Sequence, residues 1–342
     1  MSIGHEAKRP FRRTLFVVAC LLFLVGASYL LWTPGLAISD GRHDRGANGL
    51  WLSHGWLGGD DWFIRHDKTN EFTRYRDPAR IQELADKLRR HHITDVFPHL
   101  CPAAPDGRLP TVNAAQVERF LDMMTGIRVI PWIGGPNPGS AKIHEPAWRT
   151  TFAAEVQRLI TAHPRLAGVQ LNVEPLTSGD TNFLHLLDVI RVALPKGKLL
   201  SIAAYPPPTW WHPYEDVHWN EPYFRQVARR SDQLAVMMYD AAQKIPKAYQ
   251  RLMGDWTREV LAWSEGKSVL LGLPTYDDAG VGYHDPKVEN LTNALLGIHR
   301  ALSRQPLPAH YQGVAIYCDW ETSAEEWDYF RKQFLNEAKP AP

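Results

Sequence analysis

The chain has few cysteines, no excess of either charge, and none of the motifs of nucleotide or metal chemistry. Three cysteines stand in 342 residues, too few for the disulfide framework of a small secreted domain. Cys20 lies inside an apolar N-terminal run, which leaves Cys101 and Cys318. These two either pair in an oxidising compartment or stay as buried free thiols, and the strands assigned to them are not neighbours. No Cys/His spacing resembles a zinc site. His91-His92, at the end of an amphipathic helix, reads as surface, so no metal and no cofactor is expected. With 38 basic and 37 acidic residues the net charge is +1, which gives no electrostatic reason to expect a nucleic-acid partner. The glycines of Ser53-His54-Gly55-Trp56-Leu57-Gly58-Gly59-Asp60 lack the G-x-G-x-x-G spacing of a dinucleotide-binding sheet.

The N-terminus carries an anchor. Lys8, Arg9, Arg12 and Arg13 precede an uncharged apolar run from about Leu15 to Trp32, close to the ~20 residues that span a bilayer. Positive charge on its N-terminal side holds that end in the cytoplasm and sends the rest across. The run is long and lacks a small-x-small site, which favours an uncleaved anchor over a cleaved signal peptide. Val17-Val18-Ala19-Cys20 looks like a lipoprotein box, but the apolar segment continues well past it. The expected organisation is a basic cytoplasmic N-terminus (1–13), a transmembrane signal anchor (14–33), a linker (34–47) and one large unit (48–337). This describes a single-pass protein of a bacterial inner membrane, with its bulk in the periplasm or outside.

From residue 48 onward, short apolar runs alternate with amphipathic segments. The runs are Gly49–Trp56, Ile93–Leu100, Ile127–Gly135, Gly168–Pro175, Leu199–Pro206, Gln233–Asp240, Ser268–Tyr276 and Gln312–Trp320. Helical patterns follow each, beginning with Asp77-Pro78-Ala79, an N-cap with proline in the first turn. Strands each followed by a helix predict a (β/α)8 TIM barrel behind one transmembrane helix. The active site of such a barrel lies at the C-terminal strand ends. Those ends carry Trp56, His99, Trp132, Asn172, Glu174, Tyr205, Tyr239, Asp240, Tyr276, Tyr317, Asp319 and Trp320, an aromatic and acidic rim suited to sugar rings and their hydroxyls. The proline-rich stretch Pro206–Tyr214 reads as a stiff lid.

Glu174 stands out. In Gly168-Val169-Gln170-Leu171-Asn172-Val173-Glu174-Pro175 the strand period of two puts Gln170, Asn172 and Glu174 on one face. Polar groups on a buried strand cost free energy unless paired or used, and a carboxyl at the strand end is a candidate acid or base.

Taken in order, these strand ends resemble the family 18 glycoside hydrolases, the chitinase-like barrels, over nearly all of residues 48–337. Where that family carries S-x-G-G, this chain has Trp132-Ile133-Gly134-Gly135. For D-x-x-D-x-D-x-E it has Ala167, Gln170, Asn172 and Glu174. M-x-Y-D is matched fully by Met237-Met238-Tyr239-Asp240, and G-x-P-x-Y by Gly272-Leu273-Pro274-Thr275-Tyr276. On the last strand Gly313 leads to Tyr317, where the family usually places Trp.

The resemblance implies Glu174 as the catalytic acid, Tyr239 bonded to an acetamido group, and the substrate's own acetamido oxygen as nucleophile, an exception to the two-carboxylate scheme. Asn172 replaces the family's oxazolinium-stabilising Asp. Losing that charge costs on the order of 3 kcal/mol of barrier, roughly a hundredfold in rate. Three readings follow. A glycosidase could use Glu174 as acid with Asp240, Asp319 or Asp277 as second carboxylate. Acetamido participation could survive with Asn172 in a weaker role. Or the protein is a glycan-binding barrel without turnover. The structural alternative is that Glu174 merely pairs with a basic group. The expected partner is a polysaccharide, with N-acetylhexosamine polymers among the candidates, and Gln170, Trp56, His99, Trp132, Tyr205, Tyr276, Tyr317, Asp319 and Trp320 are its expected contacts.

Overall fold

The computed structural model describes residues 8–31, 35–59, 61–210, 212–278 and 280–336. Expectations that touch Trp32, Asp60, Trp211 and Glu337 lie outside the described residues.

Helix α1, Lys8–Leu31, is among the described residues the one helix long and apolar enough to cross a membrane. The segment expected as a linker is not a free tether, since Ile38, His43 and Asp44 are buried. Asp44 Oδ2 lies 2.6 Å from His92 Nδ1 and accepts from Asn336 N at 3.1 Å. His91 packs its ring against Trp327 at 4.5 Å. The expectation that His91 and His92 are surface residues is therefore corrected: both are buried, His92 against Asp44 and His91 against Trp327.

Strands and helices then alternate: β1 (Asn48–Leu52), α2 (Asp61–Arg65), α3 (Pro78–Arg90), β2 (Ile93–Pro98), α4 (Ala114–Met123), β3 (Arg128–Val129), β4 (Trp132–Pro136), α5 (Pro146–Ala162), β5 (Gly168–Glu174), α6 (Thr181–Ala193), β6 (Leu199–Ala204), α7 (Glu221–Arg230), β7 (Gln233–Val236), α8 (Pro246–Trp263), β8 (Ser268–Pro274), α9 (Leu291–Leu302), β9 (Tyr311–Tyr317) and α10 (Ala324–Gln333). Helix starts follow local chemistry. Asp77 accepts from Ala79 N with Pro78 in the first turn, and Ser323 and Glu326 form a reciprocal capping box on α10, satisfying donors the first turn leaves orphaned.

All neighbouring strands are parallel, in the order β3-β2-β1-β9-β8-β7-β6-β5-β4. The expected eight-stranded closed barrel is corrected in two respects. The third run is split at Ile130-Pro131 into β3 and β4, because proline has no N–H to give a ladder. The continuous ladder is open, and these two short strands are its ends. One isolated bridge, His99↔Trp132, crosses the seam, with Leu100 N donating to Trp132 O at 2.8 Å and Ala103 N to Gly134 O at 2.7 Å. The sheet nevertheless curls strongly. Laid flat, β1 and β5 would stand roughly 24 Å apart at the usual strand spacing, yet Trp51 Nε1 on β1 donates to Gln170 Oε1 on β5 at 2.7 Å.

Two apolar clusters result. The larger lies between sheet and helices. The smaller fills the concave side, with Trp51, Phe97, Ile130, Trp132, Leu270 and Ala315 among its members. At the N-terminal strand ends, buried Asp95 takes both guanidinium bonds of Arg128 (2.6 and 2.7 Å) and the amides of Gln233 (2.6 Å) and Gln312 (2.7 Å). This polar plug pairs every partner with the carboxylate and ties β2, β3, β7 and β9 together. Cys101 and Cys318 are buried free thiols.

Candidate active site

The register of β4 on β5 builds the floor: Trp132 sits beside Gln170, Gly134 beside Asn172 and Pro136 beside Glu174. Gly134 has a φ of +125°, and a Cβ there would lie 1.8 Å from the Asn172 carbonyl oxygen, so only glycine lets the strands meet at this point. Gln170 is wholly buried beneath the floor, accepting from Trp51 and donating to Ser201 Oγ at 3.3 Å. It braces the concave core and does not reach the cleft.

Asn172 sits above it, 7 % exposed, with its Oδ1 buried and unpartnered and its side chain hydrogen-bonded to Glu174. Glu174 is half-buried as a residue, its carboxyl being the desolvated part. Burial raises the Glu174 pKa from 4.5 to about 7, the Asn172 bond opposes that, and the Asp240 charge adds to it. No basic group enters this balance, which removes the support for a purely structural ion pair at Glu174.

A cavity of about 960 Å³ opens over this floor, lined by Asn172, Glu174, His99, Trp132, Tyr205, Tyr239 and Asp240 of the expected residues. The other expected contacts lie elsewhere. Trp56 is 8 % exposed and packs edge-on to Tyr75 at 4.9 Å and tilted on Phe120 at 5.6 Å, because β1 ends at Leu52 and the chain has turned over into the outer core. Trp320 sits on the outer rim, edge-on to Tyr317 at 5.6 Å and donating to Glu321 at 3.1 Å. Tyr317 lies behind the wall, stacked on Tyr239 at 5.3 Å. Asp319 accepts from Ser53 N at 2.8 Å away from the cleft, and burial raises its pKa to about 7. Asp277 faces a second, polar cavity with Tyr276 and His284. Of the three candidate second carboxylates, only Asp240 lines the cleft with Glu174.

The loop after β7 is held by residues that sequence reasoning missed. Asp240 and Ala242 adopt φ of +58° and +51°, a region that costs energy for residues with a Cβ. Glu289, wholly buried, offsets this by accepting from Ala241 N at 2.8 Å and Gln243 N at 2.9 Å. Burial raises its pKa to about 7 against those two bonds. Tyr276 donates its hydroxyl to Asp240. His284 stacks on Tyr276 at 4.1 Å and brings Nδ1 to 3.4 Å from Asp240. Desolvation lowers the His284 pKa, but the Asp240 bond and the Glu289 and Asp240 charges outweigh it and leave the net shift upward. Glu289 stands just before the N-cap of α9, and nothing local in the sequence marks it.

The lid stretch is also tied down. His212 Nδ1 and His218 Nε2 meet at 2.6 Å, and His218 Nδ1 lies 3.2 Å from Pro206 O. Burial holds both imidazoles below their ordinary pKa, His218 at about 4. His212, Tyr214, Asp216 and His218 line the cleft together with Cys101 and Tyr283, all missed as individual contacts. His99 and Trp132 meet edge-on at 4.2 Å, and His54 lies against His99 at 3.7 Å. Burial lowers the pKa of His99 and holds that of His54 near 3, so this wall is a neutral aromatic one.

No protein-family model matches the chain, and neither does any curated protein. Solved structures do. A spore cortex-lytic enzyme, SleL, of Bacillus cereus superposes with a TM-score of 0.54 at 9% identity, over 84% of this chain and 75% of that one. A chitinase from Chromobacterium violaceum gives 0.54 at 13% identity over 83% of this chain and 98% of its own. A fungal endo-beta-N-acetylglucosaminidase of glycosyl hydrolase family 18 gives 0.50 at 15% identity over 72% and 89%. The chain has a chitinase-like fold.

Proposed function

We propose that this protein is a membrane-anchored glycoside hydrolase with Glu174 as its general acid. The observation that carries the reading is the carboxyl of Glu174. It sits at the floor of an aromatic cleft with a pKa raised to about 7, and a general acid is most effective with a pKa near the working pH. In the proposed reaction Glu174 gives its proton to the glycosidic oxygen as the bond to the anomeric carbon breaks. Water later takes the leaving group's place, returning a proton to Glu174.

The unpartnered Asn172 Oδ1 supports a substrate bearing an acetamido N–H beside the reacting carbon, so polysaccharides containing N-acetylhexosamine are the proposed substrates. The likeness in fold to a chitinase and to an endo-beta-N-acetylglucosaminidase supports the same substrate class. Tyr239 and Asp240 are the proposed partners at the acetamido group, and His99, Trp132 and Tyr205 the proposed sugar-ring contacts. The anchor's N-terminal basic residues support a topology with the cleft on the far side of a bacterial inner membrane.

A second reading is a glycan-binding protein without turnover, favoured by Asn172 where a charged stabiliser is expected. The full chain and its Glu174→Gln variant, assayed on chitin, peptidoglycan and capsular or exopolysaccharides, distinguish the two. Hydrolysis by the parent alone supports the enzyme. Binding without sugar release by either sinks it, and equal activity in both removes Glu174 from the chemistry.

A further inference from the structure

Among the described residues outside α1, ten large apolar side chains are exposed; Leu36, Ile64, Val189, Val192 and Trp320 are scattered, and the other five gather on one edge of the domain. Trp210 (89 % exposed), Ile245 (60 %), Val281 (41 %), Tyr214 and Tyr283 sit on the loops after β6, β7 and β8, which are neighbouring strands. Ala242 N donates to Tyr283 O at 2.8 Å, joining two of these loops. They form one sector of the cleft mouth.

The anchor arrives at the same sector. Tyr29, at the end of the membrane-length stretch Arg12–Tyr29, has Lys247 Nζ 3.6 Å from its ring centroid. Lys247 lies in the first turn of α8, two residues after Ile245. The chain then runs down the outside of α8 and α9. A Cβ on Gly35 would meet Gln250 and Leu296 at 2.6 and 2.7 Å, Leu36 N donates to Leu296 O at 3.0 Å, and His43 meets His299 in the last turn of α9 at 2.8 Å. Helices return antiparallel to the strands, so this path descends from the cleft side to the opposite side. The membrane boundary therefore lies level with the cleft mouth.

We infer that the Trp210–Ile245–Val281 sector of the rim docks on the bilayer surface beside α1, so that the cleft opens at the level of the lipid headgroups. Exposed aromatic and aliphatic side chains gain by insertion at that interface, where Trp and Tyr are favoured. Lys244 and Lys247 are offset by Asp278 and Asp285 in the same sector, so the docking is apolar and needs no anionic lipid. Taken with the glycan reading above, on which this consequence rests, a glycan carried on a lipid is the substrate within reach.

The test uses the full chain in phosphatidylcholine nanodiscs containing a phospholipid with a photoreactive group near its headgroup, with adducts mapped by peptide mass spectrometry. Adducts are expected in 207–210, 244–247 and 281–284, and none in the opposite-face segments 265–267 and 304–309. Trp210→Ser with Ile245→Ser should remove most rim adducts and leave those on α1 unchanged. Adducts confined to α1, adducts on the opposite face, or rim adducts that survive the double substitution would each overturn the inference. So would rim adducts displaced by soluble chito-oligosaccharide, which would make the sector a sugar platform. The readout needs no turnover, so docking and the hydrolase reading fail separately.

Discussion

Asn172 turns its side-chain amide to the Glu174 carboxyl and leaves its own Oδ1 buried without a partner. The bond favours the charged form of Glu174, while burial favours the protonated one and prevails. One neutral residue thus lowers the fraction of Glu174 that keeps its proton and still offers an acceptor.

Asn172→Asp tests that balance. It removes the amide that lowers the Glu174 pKa and adds a like charge that raises it, so both changes move the basic limb of the kcat/KM profile upward from about 7. If an oxazolinium-like cation forms, the new charge should also raise kcat by roughly a hundredfold, about 3 kcal/mol. A pH–rate profile of both proteins on an N-acetylhexosamine polymer reads both effects, and an unshifted limb would contradict the assignment of the acid.

Stability should fall on the alkaline side. For Glu174 the folded pKa of about 7 exceeds the ordinary 4.5, so its contribution is fully present below pH 4.5 and lost as pH rises through 7. Glu289 and Asp319, both also raised to about 7, act in the same direction. The shift at Glu174 corresponds to about 3 kcal/mol. Glu174→Gln should therefore raise the melting temperature at pH 8 more than at pH 4.5, measured by calorimetry, and a pH-independent difference would refute the burial argument.

Asp240→Asn and Asp319→Asn should separate. Asp240 lines the cleft and its charge raises the Glu174 pKa, so its neutralisation should move the basic limb of the rate profile downward and cut kcat at pH 7. Asp319, bonded to Ser53 N away from the cleft, should leave kcat within a few-fold and stabilise the fold above pH 7. Equal losses of activity in both variants would reopen Asp319 as the second carboxylate.

Glu289→Ala leaves Ala241 N and Gln243 N without their acceptor, at about 1–3 kcal/mol for each unsatisfied group. The Asp240 loop should then relax its positive φ angles, lowering kcat, with partial recovery in Glu289→Gln. Circular dichroism melts and kinetics on the same samples check this, and an unaffected kcat in Glu289→Ala would mean that the loop needs no such support.

The sequence by itself carried the alternation of strands and helices, the membrane-length apolar N-terminal helix and the strand-end position of Glu174. Each is a local pattern: a period of two or 3.6, a proline stop, a run without charge. The helix start marked by a cap and a proline held, at Asp77-Pro78. Tertiary structure decided what depends on contacts distant in sequence. Pro131 opened the ladder by withholding one N–H, a consequence that needed the neighbouring strands in place. Trp56 and Trp320 stood at strand ends as Trp132 did, yet strand length turned the first into the core and left the second outside. His92 was buried by Asp44, nearly fifty residues earlier, and His91 by Trp327, far later in the chain, while Glu289 reached Ala241 from the next loop. Strand pattern places a carboxyl at a rim; only the packed neighbours set its solvation, and solvation is what raises the Glu174 pKa to about 7.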